Sequence, residues 1–238
     1  MFRGIKAVLF DLDGTLRHNE PSYAQLFDDY VSTLDGVLNA WDNRRRAMRW
    51  EHHYWASSPD LKVDREQFAN DDAGFWMNYN RRRMIVYGIH PERAAALAPR
   101  VQEYMDSQET ENRLYPDAIP TIQAFRQRGL KVGLVSNRNN PIDELLVELG
   151  LREHLDFSLI SGEVGTWKPA PAIFVHALQR SGTAPQETIY VGDNYYADVV
   201  GARRAGIHPV LLDPLRLFDE PGCPVISSLA QVIPLVES

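Results

Sequence analysis

The chain has 238 residues, of which 44% are hydrophobic and 24% are charged, and this composition is typical of a folded globular protein. A chain of this length accommodates one core domain with a large insertion, or two modest domains. The formal net charge of -7 argues against nucleic acid as the main partner, because a phosphate backbone attracts a basic surface.

Cysteine content and the N-terminal segment bear on where the protein works. Cys223 is the single cysteine, so no internal disulfide can form, and this fits a reducing cytosol. The first apolar run stops at Asp11, which makes it too short for a signal peptide or a membrane span. We therefore expect a cytoplasmic protein with no membrane partner. The sequence does not indicate an oligomeric state.

The first predicted element is a strand close to the N-terminus. Residues 5–10 form a continuous apolar run, which is typical of a strand buried on both faces of a parallel sheet. Similar runs occur much later in the chain and alternate with segments of helical periodicity. This alternation predicts an α/β fold with a Rossmann-like parallel sheet and right-handed crossovers. The later strands are predicted at 131–135, 157–160, 188–191 and 208–212, and the helices at 141–149, 170–178 and 195–205.

A long segment between the first two predicted strands lacks any buried-strand pattern. Apolar residues at helical spacing from Tyr23 to Trp41 predict one long amphipathic helix instead. Pro99 is expected to kink or split the last helix of this segment. The remaining helices are predicted at 42–56, 64–79 and 91–106. We therefore expect a helical cap over 17–113, inserted into a catalytic core formed by 1–16 and 114–238.

Two aspartates follow the first strand, in the order Asp11-Leu12-Asp13-Gly14-Thr15. Ligands of open α/β sheets bind beyond the carboxyl ends of the strands, and side chains two residues apart on an extended chain share a face. Two carboxylates with no adjacent basic residue repel each other unless a divalent cation binds them, and hard oxygen ligands favour Mg²⁺. The same five residues also fit a simple polar turn that closes a strand.

Three later segments place further polar groups at predicted strand ends or helix starts. Ser136 and Asn137 offer a hydroxyl and a backbone N–H that can hold phosphoryl oxygens. Lys168 precedes a helix and offers a cation for the charge of a phosphoryl-transfer transition state. Asp193 and Asp198 add carboxylates after the strand at 188–191. Taken singly, each segment also fits turn chemistry, a solvated loop or a helix N-cap.

In this order, the four segments are similar to the motifs of the haloacid dehalogenase-like hydrolase superfamily. The resemblance covers the predicted core, and the inserted helices resemble the family's helical-cap branch, which includes phosphoglycolate phosphatases. Ala170 departs from the pattern, since the family often has aspartate there. The motif residues are Asp11-Leu12-Asp13-Gly14-Thr15, Ser136, Lys168, and Gly192-Asp193 with Asp198.

The resemblance implies a Mg²⁺-dependent phosphatase that acts on a small phosphorylated metabolite. Asp11 is expected to be the nucleophile that forms an aspartyl-phosphate, and Asp13 to protonate the leaving oxygen and then activate water. Lys168 is expected to balance the charge of the phosphoryl group and of Asp11. The remaining expected roles are phosphoryl binding by Thr15, Ser136 and Asn137 with Lys168, Mg²⁺ binding by Asp11, the Asp13 backbone carbonyl and Asp193, and orientation of these groups by Asn194 and Asp198.

Three other functions can be weighed against this expectation. A phosphomutase of the beta-phosphoglucomutase type uses the same core, and nothing in the sequence excludes it. A 2-haloacid dehalogenase needs neither a metal nor a proton donor, so the presence of Asp13 disfavours it. A non-catalytic scaffold is disfavoured because every motif position is kept.

The predicted cap is rich in tryptophan and arginine, and its role stays open at this level. An arginine with an aromatic ring could hold a substrate carboxylate, a second phosphate or a base. The same residues also fit a cap core of tryptophans with a solvated arginine face. The residues concerned are Trp41, Trp50, Trp55, Trp76, His52, His53, Arg44-Arg45-Arg46 and Arg81-Arg82-Arg83.

Overall fold

The computed structural model describes residues 1–35, 40–56 and 58–237. The chain divides into two compact units, one formed by Met1–His18 with Asn112–Ser238 and the other by Asn19–Glu111. We call the first the core unit and the second the cap unit. Within the described residues, no helix combines the length and the apolar character that a membrane span requires.

Strands and helices alternate in the core unit, whereas helices dominate the cap unit. Along the described residues the strands are β1 (Ala7–Phe10), β2 (Arg17–Glu20), β3 (Glu111–Leu114), β4 (Lys131–Ser136), β5 (Phe157–Ile160), β6 (Thr188–Gly192), β7 (His208–Leu212) and β8 (Val225–Ile226). The α-helices are α1 (Tyr23–Leu34), α2 (Trp41–Trp55), α3 (Pro59–Gln67), α4 (Asp72–Tyr87), α5 (Pro91–Asp106), α6 (Ala118–Gln127), α7 (Asp143–Glu148), α8 (Ser161–Val164), α9 (Pro171–Ser181) and α10 (Val200–Arg204).

The core unit is built on a six-stranded parallel sheet in the order β5-β4-β1-β6-β7-β8. β1 lies between β4 and β6, so that Ala7 faces Lys131 on one side and Thr188 on the other. This arrangement confirms the predicted α/β fold, and the five predicted strands are present. The predicted helices also form, although 195–205 begins as a π-helical turn over Tyr195–Val199 before α10.

Both faces of the sheet are covered, which explains why its strands are apolar throughout. Successive side chains of a strand point to opposite faces. Val8 and Phe10 of β1 therefore pack into the cluster that contains Phe125 of α6, while Leu9 packs into the cluster that contains Phe174 of α9. Burial of one such large side chain contributes about 2 kcal/mol, so the two layers hold β1 firmly and fix the chain that follows it.

The cap unit contains five α-helices along its described residues, and two of the predicted boundaries are wrong. α1 ends at Leu34, and Asp35 is extended at φ -154°, so the helix predicted from Tyr23 to Trp41 does not continue. Trp41 instead begins α2, and the predicted positions Val37 and Leu38 lie outside the described residues. Trp41 is 49% exposed, so its match to the periodicity of α1 does not reflect a buried face.

The helix predicted at 64–79 is also wrong, because α3 and α4 replace it. The Asp71 side chain accepts a hydrogen bond from the Gly74 N–H at 2.8 Å and starts α4 as an N-cap. α5 matches its predicted range to the residue and continues through Pro99 without splitting.

Three short strands were not predicted. β2 and β3 form a separate two-stranded sheet, and β8 adds a two-residue edge to the main sheet. The sequences of β2 (RHNE) and β3 (ENRL) are polar, so neither carries the apolar run that identifies a buried strand.

Candidate active site

The motif residues meet at the carboxyl edge of three neighbouring strands. Asp11 directly follows β1, Ser136 is the last residue of β4, and Asp193 directly follows β6. The register aligns these ends, since Phe10 pairs with Leu134 and with Val191. Parallel strands therefore deliver three motif segments to one place, which is the usual ligand site of an open α/β sheet.

Lys168 lies at the centre of this group and is only 2% exposed. Its Nζ donates to Asp11 Oδ1 at 2.6 Å, to Asp198 Oδ1 at 2.7 Å and to the Tyr190 hydroxyl at 3.0 Å. Burial alone would lower the pKa of Lys168, but the charges of Asp11 and Asp198 outweigh burial and raise it well above its usual value. Lys168 is therefore a fixed buried cation beside Asp11.

The carboxylates around Lys168 carry more negative charge than one lysine balances. Carboxylate oxygens of Asp11, Asp193 and Asp198 all lie within 4.8 Å of one another. Burial, opposed by the charge of Lys168 and reinforced by the charges of Asp198 and Asp13, raises the pKa of Asp11 to about 7. Burial, followed by the charges of Asp11 and Asp198, likewise raises the pKa of Asp193 well above its usual value.

This charge and these ligand atoms fit a hard divalent cation such as Mg²⁺. Gly14 keeps the space beside Asp193 open, since a Cβ at Gly14 would lie 2.4 Å from Asp193 Oδ2. Gly14 also has φ +84°, which favours glycine. The site therefore fits a magnesium ion, because it offers oxygen donors, an excess of negative charge and open space beside Asp193.

Asp198 and Asn194 hold the loop that follows β6. The second Asp198 carboxylate oxygen, Oδ2, accepts from the Asn194 N–H at 2.9 Å, so both of its oxygens are engaged. Asn194 Oδ1 accepts from the N–H groups of Tyr196 and Ala197, each at 3.0 Å, and caps the π-helical turn. These contacts orient Lys168 and the chain around Asp193.

Thr15 links two of the aspartates. Its hydroxyl oxygen accepts from the Asp193 N–H at 3.0 Å and lies 3.2 Å from Asp193 Oδ1 and 3.4 Å from Asp11 Oδ2. The hydroxyl hydrogen can serve only one of these carboxylates at a time. Thr15 thus fixes the separation of Asp11 and Asp193.

The side-chain amide of Asn137 contacts the backbone of Lys168. Its Oδ1 accepts from the Lys168 N–H at 2.7 Å and from the Ser161 hydroxyl at 3.0 Å, while its Nδ2 donates to the Lys168 carbonyl at 3.0 Å. The amide therefore grips the backbone of Lys168 on both sides. Ser136, only 2% exposed, ends β4 beside this contact.

Two arginines that the sequence did not single out hold Asp13. Arg138 donates through Nε to Asp13 Oδ2 at 2.7 Å and through a terminal nitrogen to Asp13 Oδ1 at 2.8 Å, and Arg17 Nε donates to Oδ1 at 2.7 Å. Burial alone would raise the pKa of Asp13, but these bonds and charges lower it. Arg17 and Arg138 therefore balance the charge of Asp13, although no basic residue adjoins the two aspartates in the sequence. A signal for Arg17 was its position four residues after Asp13.

The Asp11 and Asp13 carboxyl groups consequently have opposite electrostatic environments. Asp11 lies in a buried, negatively charged cluster and has a raised pKa, whereas Asp13 lies between two guanidinium groups and has a lowered pKa. Paired carboxyl groups whose pKa values are driven apart are typical of active sites that divide nucleophilic and acid–base tasks.

Comparisons with known proteins show which family this chain resembles. A family model described as haloacid dehalogenase-like hydrolase matches residues 5–206. A phosphoserine phosphatase from Thermus thermophilus is 32% identical over 88% of this chain and 89% of its own, and a glyceraldehyde 3-phosphate phosphatase from Methanopyrus kandleri is 32% identical over 85% and 82%.

Two further matches bear on length and on fold. Haloacid dehalogenase-like hydrolase domain-containing protein 3 from mouse is 38% identical over 49% of each chain, so that match spans about half of the mouse relative. The crystal structure of a protein described as a predicted phosphoglycolate phosphatase from Haemophilus somnus is 20% identical, covers 98% of both chains and has a TM-score of 0.60. At that identity the structural match shows the fold alone.

Proposed function

This chain belongs to the haloacid dehalogenase-like hydrolase family, and we propose that it is a Mg²⁺-dependent phosphatase that forms an aspartyl-phosphate on Asp11. The substrate class is a small phosphorylated metabolite. Two relatives of about equal identity are named for different substrates, phosphoserine and glyceraldehyde 3-phosphate, so their names support the class rather than one compound.

One observation carries the proposal: Asp11 is a buried carboxylate, and the Nζ of Lys168 lies 2.6 Å from its Oδ1. In the first step a carboxylate oxygen of Asp11 attacks phosphorus, and the bond from phosphorus to the substrate oxygen breaks. The cation of Lys168 balances negative charge on Asp11 and on the phosphoryl oxygens as they approach each other. In the second step water attacks phosphorus, which releases inorganic phosphate and restores the Asp11 carboxylate.

Asp13 handles the protons of both steps. Arg138 and Arg17 hold its carboxyl group in one orientation and keep it ionised in the absence of substrate. A phosphoryl dianion next to Asp13 raises the pKa of its carboxyl group, so that substrate binding favours uptake of the proton that Asp13 then gives to the leaving oxygen. The resulting carboxylate accepts a proton from the attacking water in the second step.

Magnesium would be held by the Asp11 and Asp193 side chains and the Asp13 backbone carbonyl. The ion, when bound, supplies positive charge that neutralises phosphoryl oxygens. Asp198 lies in the same cluster, but both of its carboxylate oxygens already accept hydrogen bonds, from Lys168 and from the Asn194 N–H. We therefore assign Asp198 to orientation of Lys168 and not to the ion.

Hydrolysis of p-nitrophenyl phosphate by the full chain tests the proposal. Activity is expected with Mg²⁺ and not with EDTA, and Asp11→Asn should lower it by at least about a thousandfold. Asp143→Asn serves as the matched control, because Asp143 is a 73% exposed aspartate of the core unit. Turnover of Asp11→Asn within tenfold of the wild type, with deamidation excluded by mass spectrometry, would contradict the proposal.

A second assay, on phosphorylated metabolites, separates hydrolysis from phosphoryl transfer between positions of one metabolite. A phosphatase releases one inorganic phosphate for each substrate consumed. A panel of phosphorylated metabolites, read for both free phosphate and isomeric product, should therefore give free phosphate in stoichiometric amount. An isomeric product without phosphate release would identify a phosphomutase.

A further inference from the structure

The cap unit contains a cavity of about 590 Å³, a volume typical of small-molecule sites. All of its lining residues belong to the cap unit, from α1, α2, α4, α5 and the residues just after α5. We propose that this cavity binds an organic ammonium group. The proposal goes beyond phosphate hydrolysis, because it rests on the chemistry of the cavity wall and not on the residues at the carboxyl edge of the sheet.

Three aromatic rings form one corner of the cavity. The Trp55 ring centroid lies 5.8 Å from that of Trp76 and 5.1 Å from that of Tyr79, with interplanar angles of 42° and 50°. Trp76 and Tyr79 meet at 89°, with centroids 5.8 Å apart. All three residues line the cavity, and the face of an aromatic ring attracts a cation. Trp76 is 44% exposed, so the corner is accessible from solvent.

The charges at the wall also favour a cation. Glu51, Asp106 and Arg83 are the charged lining residues. The Arg83 guanidinium pairs with Glu51 and, at 3.3 Å, with Asp28, so its positive charge is already balanced by two carboxylates. Asp106 thus adds negative charge at the cavity that Arg83 does not neutralise. A phosphate or carboxylate ligand would be repelled, whereas an ammonium group would be attracted.

A chain of buried amides holds Asp106 in place. Asn80 Nδ2 donates to Gln102 Oε1 at 2.9 Å, and Gln102 Nε2 donates to Asp106 Oδ1 at 2.6 Å. Asn80 and Gln102 are both buried, although apolar side chains at these two positions would stabilise a small helical unit more. The network fixes the carboxylate of Asp106 at the cavity wall, where it can meet a ligand cation.

Two of the three arginines of α4, Arg82 and Arg83, are paired with carboxylates of the cap unit. Arg82 Nε lies 2.8 Å from Asp64 Oδ2, and Arg83 is committed to Glu51 and Asp28. The positive charges of Arg82 and Arg83 are therefore balanced by carboxylates within the cap unit.

Titration calorimetry of the full chain with choline tests the proposal. Choline is expected to bind about five- to thirtyfold more tightly than 3,3-dimethylbutan-1-ol, its neutral analogue, because only the cation interacts with ring faces and a carboxylate. Trp76→Ala and Asp106→Asn should each weaken choline binding about three- to tenfold. Trp41→Ala is the matched control, since Trp41 is a 49% exposed tryptophan of the cap unit that does not line the cavity. Circular dichroism and thermal unfolding confirm that each variant is folded.

Equal affinity for choline and for the neutral analogue would overturn the proposal. The absence of detectable choline binding at about 10 mM would also overturn it. An equal loss of binding in the Trp41→Ala control would also overturn it. Phosphocholine, titrated in EDTA, identifies the source of the ammonium group. Tighter binding than choline assigns it to a phosphorylated substrate, and equal or weaker binding assigns it to a separate amine.

Discussion

Replacing Asp11 by asparagine should stabilise the metal-free protein even though it removes the nucleophile. The pKa of Asp11 rises from 3.8 to about 7 on folding, so the ionised carboxylate costs stability at every pH above 3.8 and costs most above pH 7. This rise corresponds to about 4 kcal/mol as an upper limit. The rise already includes the attraction between Asp11 and Lys168. An amide does not reproduce every hydrogen bond of the protonated carboxyl group, which offsets some of the gain. We expect a net gain of about 1–3 kcal/mol at pH 8.

Thermal unfolding in EDTA at pH 8, 6 and 4 measures this gain. A melting temperature about 2–10 °C higher than that of the wild type is expected at pH 8, with the difference shrinking towards pH 4, where the wild-type carboxyl is protonated in the folded state. Asp143→Asn should change stability by less than about 0.5 kcal/mol at each pH, since Asp143 is exposed and lies 3.9 Å from Arg152. A destabilised Asp11→Asn at pH 8, or a gain that does not vary with pH, would refute the reasoning.

Three further predictions concern the metal site and Asp13. Asp13→Ala should retain Mg²⁺ affinity better than Asp193→Ala, because the ion uses a backbone carbonyl at Asp13 and a side chain at Asp193; the reverse order by calorimetry would contradict the ligand assignment. Gly14→Ala places a Cβ 2.4 Å from Asp193 Oδ2 and should weaken Mg²⁺ binding at least about tenfold. Gly150→Ala is the control, because Gly150 also has a positive φ and no atom lies within 4 Å of the added Cβ. It should lower stability by only about 1–2 kcal/mol. An equal loss of Mg²⁺ affinity in both variants would show that the contact with Asp193 is not the cause. Arg138→Gln should raise the pKa of Asp13 and move the alkaline limb of the pH–rate profile to higher pH. An unchanged alkaline limb would show that Asp13 is not the group whose protonation the rate requires.

The sheet was predictable because its strands are buried on both faces. Residues 5–10 and 131–135 stand out as apolar runs for that reason, and polar motifs directly after them mark the carboxyl edge of the sheet. β2 and β3 could not be found in the same way, since four polar residues in β2 and three in β3 leave no apolar run. In the cap, periodicity identified helices but not their ends, because side-chain caps such as Asp71 fix the boundaries and occur equally in turns.

The candidate site was predictable as a set of residues but not as a network. Position directly after a predicted strand identified Asp11 and Asp193, and Lys168 was identified by its place before a helix and by the family resemblance. The sequence did not reveal that Arg138, 125 positions from Asp13, donates two hydrogen bonds to the Asp13 carboxylate, because only the tertiary fold brings the two residues together. For the same reason the sequence did not reveal that the Asn137 side chain hydrogen-bonds to the backbone of Lys168. The phosphoryl binding expected of Ser136 and Asn137 stays a prediction.

Chemical trapping of the phosphoryl group tests the central claim most directly. The full chain is mixed with Mg²⁺ and its best substrate, quenched in acid during turnover and reduced with borohydride, which converts an aspartyl-phosphate side chain to that of homoserine. Peptide mass spectrometry should find this conversion at position 11, dependent on substrate and abolished in Asp11→Asn. Conversion at another carboxyl group, or unmodified Asp11 at times when turnover is under way, would contradict the account.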